Sequence, residues 1–205
     1  MSWYDERVAP RLIDAVCAWG GLEPYRREVT AGLAGTVLEI GFGSGRNLPY
    51  YPASVTRVYA VEPSSHAWLG AQSHVAAFAG DVELVGTDAA HLALPDASCD
   101  HVVSTFTLCS VVDEHGTAAE LARVLRPGGT LRLVEHGLAP SARVARWQWR
   151  LDGLEQRLAG GCHLTRDPVA ALTRAGLEGH WSHAGFRVAR TPWSYVTVAE
   201  LARPR

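Results

Sequence analysis

The apolar run Val37-Leu38-Glu39-Ile40 ends in three alternating glycines, Gly41, Gly43 and Gly45, and a helix-like stretch follows. Glycine has no Cβ and tolerates positive φ, so the backbone at these three positions can approach a bound ligand closely and offer its amides. A second apolar run, Val58-Tyr59-Ala60-Val61, ends in Glu62, 21 residues after Gly41. In a doubly wound fold an acid at that distance accepts hydrogen bonds from ribose hydroxyls. Loop and acid together predict a cofactor containing adenosine.

The elements that must hold these residues follow from periodicity. From Thr36 onward, strand-like runs over 36–40, 57–61, 82–86, 100–105 and 130–135 alternate with helical stretches, the signature of a mostly parallel sheet covered by helices on both faces. Residues 116–126 give the clearest intervening helix, which Arg126-Pro127-Gly128-Gly129 ends by turning the chain back into the sheet. Runs over 180–189 and 194–202, joined at Thr191-Pro192-Trp193, predict a C-terminal antiparallel hairpin. The expected fold is α/β, a Rossmann-like doubly wound sheet of seven strands. Before it, residues 4–18 place Val8, Leu12, Ala15, Val16 and Trp19 at helical spacing, and 23–34 read as a second helix. Residues 1–34 thus form an N-terminal helical cap on a single domain spanning 1–205.

Length and composition fit one domain: 205 residues, 47% of them apolar, suffice for a sizeable core. With 19 basic against 21 acidic residues the formal charge is -2, which argues against a nucleic-acid partner. Cys17, Cys99, Cys109 and Cys162 include no Cys-x-x-Cys pair, so neither a zinc site nor a redox dithiol is signalled, and no metal is expected. The first residues lack an apolar stretch of signal-peptide length, and no run reaches the ~20 apolar residues of a spanning helix. The expectation is a cytoplasmic protein with no integral membrane association. Arginines interleaved with Trp147 and Trp149 permit a peripheral surface contact.

Val37-Leu38-Glu39-Ile40-Gly41-Phe42-Gly43-Ser44-Gly45, the acid Glu62, Gly86-Thr87-Asp88-Ala89 and Arg126-Pro127-Gly128-Gly129 together resemble the class I S-adenosylmethionine-dependent methyltransferases. The likeness covers roughly residues 35–200. It implies S-adenosylmethionine as cofactor and a site built from Glu39, Gly41, Gly43, Gly45, Asn47, Glu62, Asp88, Ala89 and Thr105. In the family's pattern the glycines wall the methionine moiety and Glu62 takes the ribose. Asp88 meets the adenine amino group, the Ala89 amide meets the adenine ring, and Glu39 helps hold the methionine amino end through water or the loop backbone. Phe42 stands where a smaller residue is common. A closer likeness, carried by Asn47-Leu48-Pro49-Tyr50-Tyr51-Pro52, Thr107-Leu108-Cys109-Ser110-Val111, Val134-Glu135-His136 and Gly161-Cys162-His163-Leu164-Thr165-Arg166-Asp167, is to the methyltransferase-like family of alkyl-thiol S-methyltransferases and its soluble bacterial relatives.

Methyl transfer from a sulfonium is an in-line displacement that alignment in a dry site accelerates. The expected acceptor is a small, largely apolar molecule, with a thiol first among the candidates. A thiol pKa near ~8.5 needs only a modest push to give thiolate at neutral pH. His136, at the end of the fifth strand, is the expected catalytic base. Cys109 reads as a packed pocket residue rather than a nucleophile. Cys162 and His163, being adjacent, are not expected to share an ion, and His180 and His183 fall on opposite faces of a strand. The segment around 161–167 reads as a loop over the substrate side, fixed by Arg166 or Asp167. Some tryptophans should line an acceptor pocket, whereas Trp19 and Trp181 read as core. Rival acceptors are a phospholipid amine, a quinone-like ring carbon or a hydroxyl. A non-catalytic binding module is disfavoured by the intact loop and both acids, and a nicotinamide oxidoreductase by the form of the glycine loop.

Overall fold

The computed structural model describes residues 9–185 and 191–205. Seven strands, β1 (Gly35–Ile40), β2 (Val55–Val61), β3 (Asp81–Gly86), β4 (Cys99–Thr105), β5 (Leu125–His136), β6 (Glu178–Gly185) and β7 (Tyr195–Ala202), form one sheet in the order β3-β2-β1-β4-β5-β7-β6. The first five pair in parallel, and β7 runs antiparallel to both β5 and β6. The expected C-terminal hairpin is therefore present, with its second strand inserted beside β5. Its turn was expected at 191–193, and part of the β6–β7 connection lies outside the described residues.

Helices α1 (Ala9–Cys17), α2 (Glu23–Thr30), α3 (Ser65–Gly70), α4 (Gln72–Ala77), α5 (Glu114–Val124), α6 (Ala142–Leu158) and α7 (Pro168–Arg174) complete the described fold. The central strands carry apolar side chains on both faces because both are covered. Leu38, Ile40, Val102, Leu131 and Leu133 pack with Leu121 of α5 and Leu172 of α7 on one side. Val37, Val58, Val103 and Val134 pack with Val29 of α2 on the other. Continuous burial of this kind is why these segments read as uninterrupted apolar runs.

Three expectations need correction. The helix expected over 116–126 spans Glu114–Val124, and residues 125–129, which include the positive-φ Gly128, already belong to β5. Its start is fixed by Asp113, whose side chain accepts the Gly116 amide at 2.8 Å. Trp19 and Trp181, expected in the core, are 47% and 53% exposed. Trp181 sits on β6, an edge strand with a neighbour on one side only, and Trp19 lies at the outer corner between α1 and α2. The apolar positions of α1 are helically spaced, yet Leu12 and Val16 face outward. The helix is held instead by Asp14, which accepts from Ser44 Oγ at 2.5 Å and pairs with Arg46 at 2.8 Å. No helix among the described residues is long and apolar enough to cross a membrane.

Candidate active site

Strand order reverses between β1 and β4, and the crevice beyond the carboxyl ends of such neighbouring strands is where doubly wound sheets bind ligands. The glycine loop leaves β1 there, residues 106–110 leave β4, and His136 ends β5. Gly41, Gly43 and Gly45 have φ of 63°, 59° and 71°. A Cβ on Gly43 would meet only the Gly41 carbonyl, at 3.8 Å, which leaves this backbone open to a ligand. A Cβ on Gly41 would overlap the Thr107 side chain. Gly41→Ala is accordingly expected to cost about 1–3 kcal/mol through left-handed strain and overpacking, and to weaken cofactor binding. Thermal unfolding and calorimetric titration check both effects.

Glu62 is buried at the tip of β2. Its Oε2 accepts the Gly43 amide and its Oε1 the Ser64 amide, each at 2.7 Å. One carboxylate thus clamps the glycine loop to the turn after β2. Burial raises its pKa, and the two backbone hydrogen bonds oppose that rise. Asp88, on the loop after β3, is exposed and accepts the Ala90 amide and a contact from His91 Nδ1, both at 2.9 Å. These bonds hold its pKa below the usual range, and Ala89 beside it is buried. Open glycine backbone and a carboxylate at the β2 tip fit the ribose side of an adenosyl group.

Behind the loop lies a polar network that reaches four segments. Glu39 Oε1 accepts from Asn47 Nδ2 at 2.9 Å, and Oε2 accepts from the Tyr51 hydroxyl at 2.6 Å. Asn47 Nδ2 also donates to Thr105 Oγ1 at 3.1 Å, while its Oδ1 accepts from Arg26 Nη1 at 2.6 Å. Arg26 in turn donates to the Cys17 carbonyl. Sequence reasoning placed Glu39, Asn47 and Thr105 at the cofactor. In the structure the Asn47 amide joins the side chains of Glu39 and Thr105 at the foot of the loop. Arg26 and Tyr51 were not singled out as site residues: α2 is rich in charge, and nothing in its spacing separates Arg26 from its exposed neighbour Arg27.

Burial pushes the Glu39 pKa up to about 7, against opposing hydrogen bonds from Tyr51 and Asn47 and the charge of Arg26. The sign follows from linkage. A carboxyl that holds its proton more tightly folded than unfolded contributes stability that is fully present below the unfolded value of 4.5 and lost as pH rises through about 7. The expected loss over that window is on the order of 3 kcal/mol. Urea unfolding of Glu39→Gln should show a shallower fall in stability between those pH values than the parent.

The opposite wall of the crevice is rich in sulfur. Cys109 Sγ lies 3.4 Å from Cys162 Sγ, which is 3.3 Å from His136 Nδ1. The Phe106 ring packs on His136 at 5.0 Å between centroids. Hydrogen bonding from Cys162 and then burial push the Cys109 thiol well above its ordinary range, in keeping with a packed residue rather than a free nucleophile. Burial lowers the His136 pKa, but interactions with Cys109 more than offset it and the net shift is upward.

Glu135, fully buried, holds this wall: it accepts from Ser104 Oγ at 2.6 Å, Thr107 N at 2.9 Å and Cys109 N at 3.2 Å. The sequence analysis named it only within the Val134-Glu135-His136 motif and gave it no role, although a charge at the apolar end of a strand was a signal. The loop over 161–167 is fixed as expected. Arg166 Nη1 donates to the Leu108 and Val111 carbonyls, and Asp167 caps α7 by accepting the Ala170 amide. Trp147 lines a cavity of about 580 Å³ between α6 and residues 191–195, whereas Trp149 is simply exposed.

Comparison with known proteins agrees with this geometry. A family model described as "Methyltransferase domain" matches residues 38–133. The human thiol S-methyltransferase TMT1B is 34% identical over 75% of this chain and 68% of its own length. The human thiol S-methyltransferase TMT1A is 35% identical over 70% of this chain and 60% of its own, so the chain spans about three fifths of that relative. A solved complex between the Haloferax volcanii Trm112 methyltransferase activator and a methyltransferase matches with a TM-score of 0.73 at 17% identity, covering 98% of this chain and 96% of that one. The protein belongs to the class I S-adenosylmethionine-dependent methyltransferases.

Proposed function

We propose that this enzyme transfers the methyl group of S-adenosylmethionine to the sulfur of a small, largely apolar thiol. The observation that carries this reading is the meeting of Cys109, His136 and Cys162 under Phe106, beside the glycine loop. Two buried sulfurs make that corner soft, suited to a polarizable sulfur, and the thiol S-methyltransferases of similar sequence support the choice. Bound S-adenosylmethionine supplies a methyl group on a positively charged sulfur.

In this reading Gly41, Gly43 and Gly45 shape the wall at the methionine moiety, Glu62 accepts the ribose hydroxyls, and Asp88 with the Ala89 amide holds the adenine. Glu39, Asn47 and Thr105 act one step back by fixing the loop. Alignment is the main contribution, since a displacement at carbon needs the acceptor sulfur, methyl and leaving sulfur in line and water kept out. His136 is the group through which the acceptor thiol is activated. His136→Ala is expected to lower kcat by about 10²-fold, with little change in the KM for S-adenosylmethionine.

A panel of alkyl and aryl thiols, amines and phenols, incubated with the enzyme and S-adenosylmethionine and followed by mass spectrometry, tests the acceptor. Methyl thioethers should accumulate with equimolar S-adenosylhomocysteine. Fast methylation of amines or phenols without thiol turnover would overturn the thiol assignment.

A further inference from the structure

The three side chains at the acceptor wall come from separate segments: Cys109 from the loop after β4, His136 from the end of β5 and Cys162 from the loop between α6 and α7. Their donor atoms all lie within 4.8 Å of one another, with edges of 3.4 Å between the sulfurs and 3.3 Å from Cys162 Sγ to His136 Nδ1. A tetrahedral ion with metal–sulfur bonds near ~2.3 Å and metal–nitrogen bonds near ~2.0 Å sets donor-to-donor edges of roughly 3.8 and 3.5 Å. The two edges that meet at Cys162 need to open by only a few tenths of an ångström, and the Cys109–His136 edge lies within 4.8 Å.

The frame around the triangle is already fixed. The Cys109 amide is held by Glu135, and the Cys109 carbonyl accepts the His163 amide at 2.8 Å. This last bond joins the two cysteine loops directly. His163 is anchored in turn by Gln156 and Asp152, and Arg166 ties its own loop to the carbonyls of Leu108 and Val111. A disulfide would use two vertices of this triangle and leave the imidazole at its edge without a part. A cation uses all three. Two thiolates and one imidazole form a soft donor set that selects zinc among common divalent ions, and three protein ligands leave one coordination position for a reactant. Cys109 and Cys162 are buried while His136 is only half-buried, so the open side of the triangle is the crevice.

We propose that Cys109, His136 and Cys162 bind a zinc-like thiophilic dication whose fourth position receives the sulfur of the methyl acceptor. The proposal rests on the thiol reading and makes it specific, with His136 acting as a ligand and the ion acidifying the acceptor. The acceptor R–SH coordinates through sulfur and releases its proton to water. A sulfur lone pair forms the new bond to the methyl carbon while the bond from that carbon to the sulfonium breaks. The electron pair of the broken bond stays on the leaving sulfur. The products are the thioether R–S–CH₃, S-adenosylhomocysteine and one proton, and the weakly coordinating thioether departs.

The test uses the full chain, reduced, stripped with a chelator and titrated anaerobically with cobalt(II), a coloured substitute for zinc. One equivalent should bind, with thiolate-to-cobalt charge-transfer absorption and the visible bands of a tetrahedral site. Those visible bands should shift on adding ethanethiol. The charge-transfer band should fall by about half in Cys162→Ser and vanish in Cys109→Ser/Cys162→Ser, with circular dichroism confirming that both variants are folded. Absence of the bands, their survival in the double variant, indifference to ethanethiol, or a Cys109–Cys162 disulfide in protein prepared under reductant would each overturn the proposal. Thiol methylation is measured separately on the stripped protein. Full turnover there without cobalt binding sinks the ion and leaves the thiol reading standing, whereas no thiol turnover in any form sinks both.

Discussion

Glu62→Ala is expected to weaken S-adenosylmethionine binding by about 10²-fold, near 3 kcal/mol, because the substitution removes two things at once. The first is the proposed acceptor for the ribose hydroxyls. The second is the clamp between the glycine loop and the turn after β2, since both carboxylate oxygens already accept backbone amides, from Gly43 and Ser64 at 2.7 Å. Without the carboxylate those amides lose their partner, and the loop loses the tie that holds it in the geometry the cofactor needs. Glu62→Gln separates the two contributions. The amide keeps the size of the side chain and one acceptor oxygen, but its NH₂ group faces a backbone N–H that cannot accept. It should therefore lose a large part of the affinity despite its shape. Calorimetric titration of both variants measures this, and affinity in Glu62→Ala within twofold of the parent would remove Glu62 from the cofactor site.

What the sequence disclosed and what it withheld have a common physical origin. The parallel core was legible because β1, β4 and β5 are covered on both faces and show apolar runs such as Val37-Leu38 and Val102-Val103. The glycine loop and Glu62 were legible because the turn geometry fixes their separation along the chain. By contrast, the network of Arg26, Glu39, Asn47 and Tyr51 joins α2 to the loop region, and the triangle of Cys109, His136 and Cys162 joins three loops and strand ends. Neither has a characteristic spacing. Each exists only because topology brings distant segments to one end of the sheet. Trp19 and Trp181 were misjudged for a related reason: whether an aromatic is buried depends on its place at the edge or centre of the fold, which composition does not encode. Cys162 was weighed against its neighbour His163, when its partners lay on β5 and the loop after β4.

Glu135→Ala should be among the most destabilising single changes in the chain, at about 3–5 kcal/mol. The carboxylate is fully buried and serves three donors, the Ser104 hydroxyl and the amides of Thr107 and Cys109. Alanine would leave two backbone N–H groups and a hydroxyl without a partner inside the core, and would add a cavity. Glu135→Gln retains volume and one acceptor oxygen, so its cost should be smaller, about 1–3 kcal/mol for the donors left facing an NH₂ group. Urea unfolding separates the two. The consequence extends to chemistry, because the loop that Glu135 holds carries Thr107 against Gly41 and Cys109 against Cys162. Even under conditions where Glu135→Gln is folded, release of that loop should lower methyl transfer more than it lowers cofactor affinity. A Glu135→Ala protein within 1 kcal/mol of the parent would mean that the loop after β4 is held by other contacts, and the buried carboxylate would then have no structural explanation.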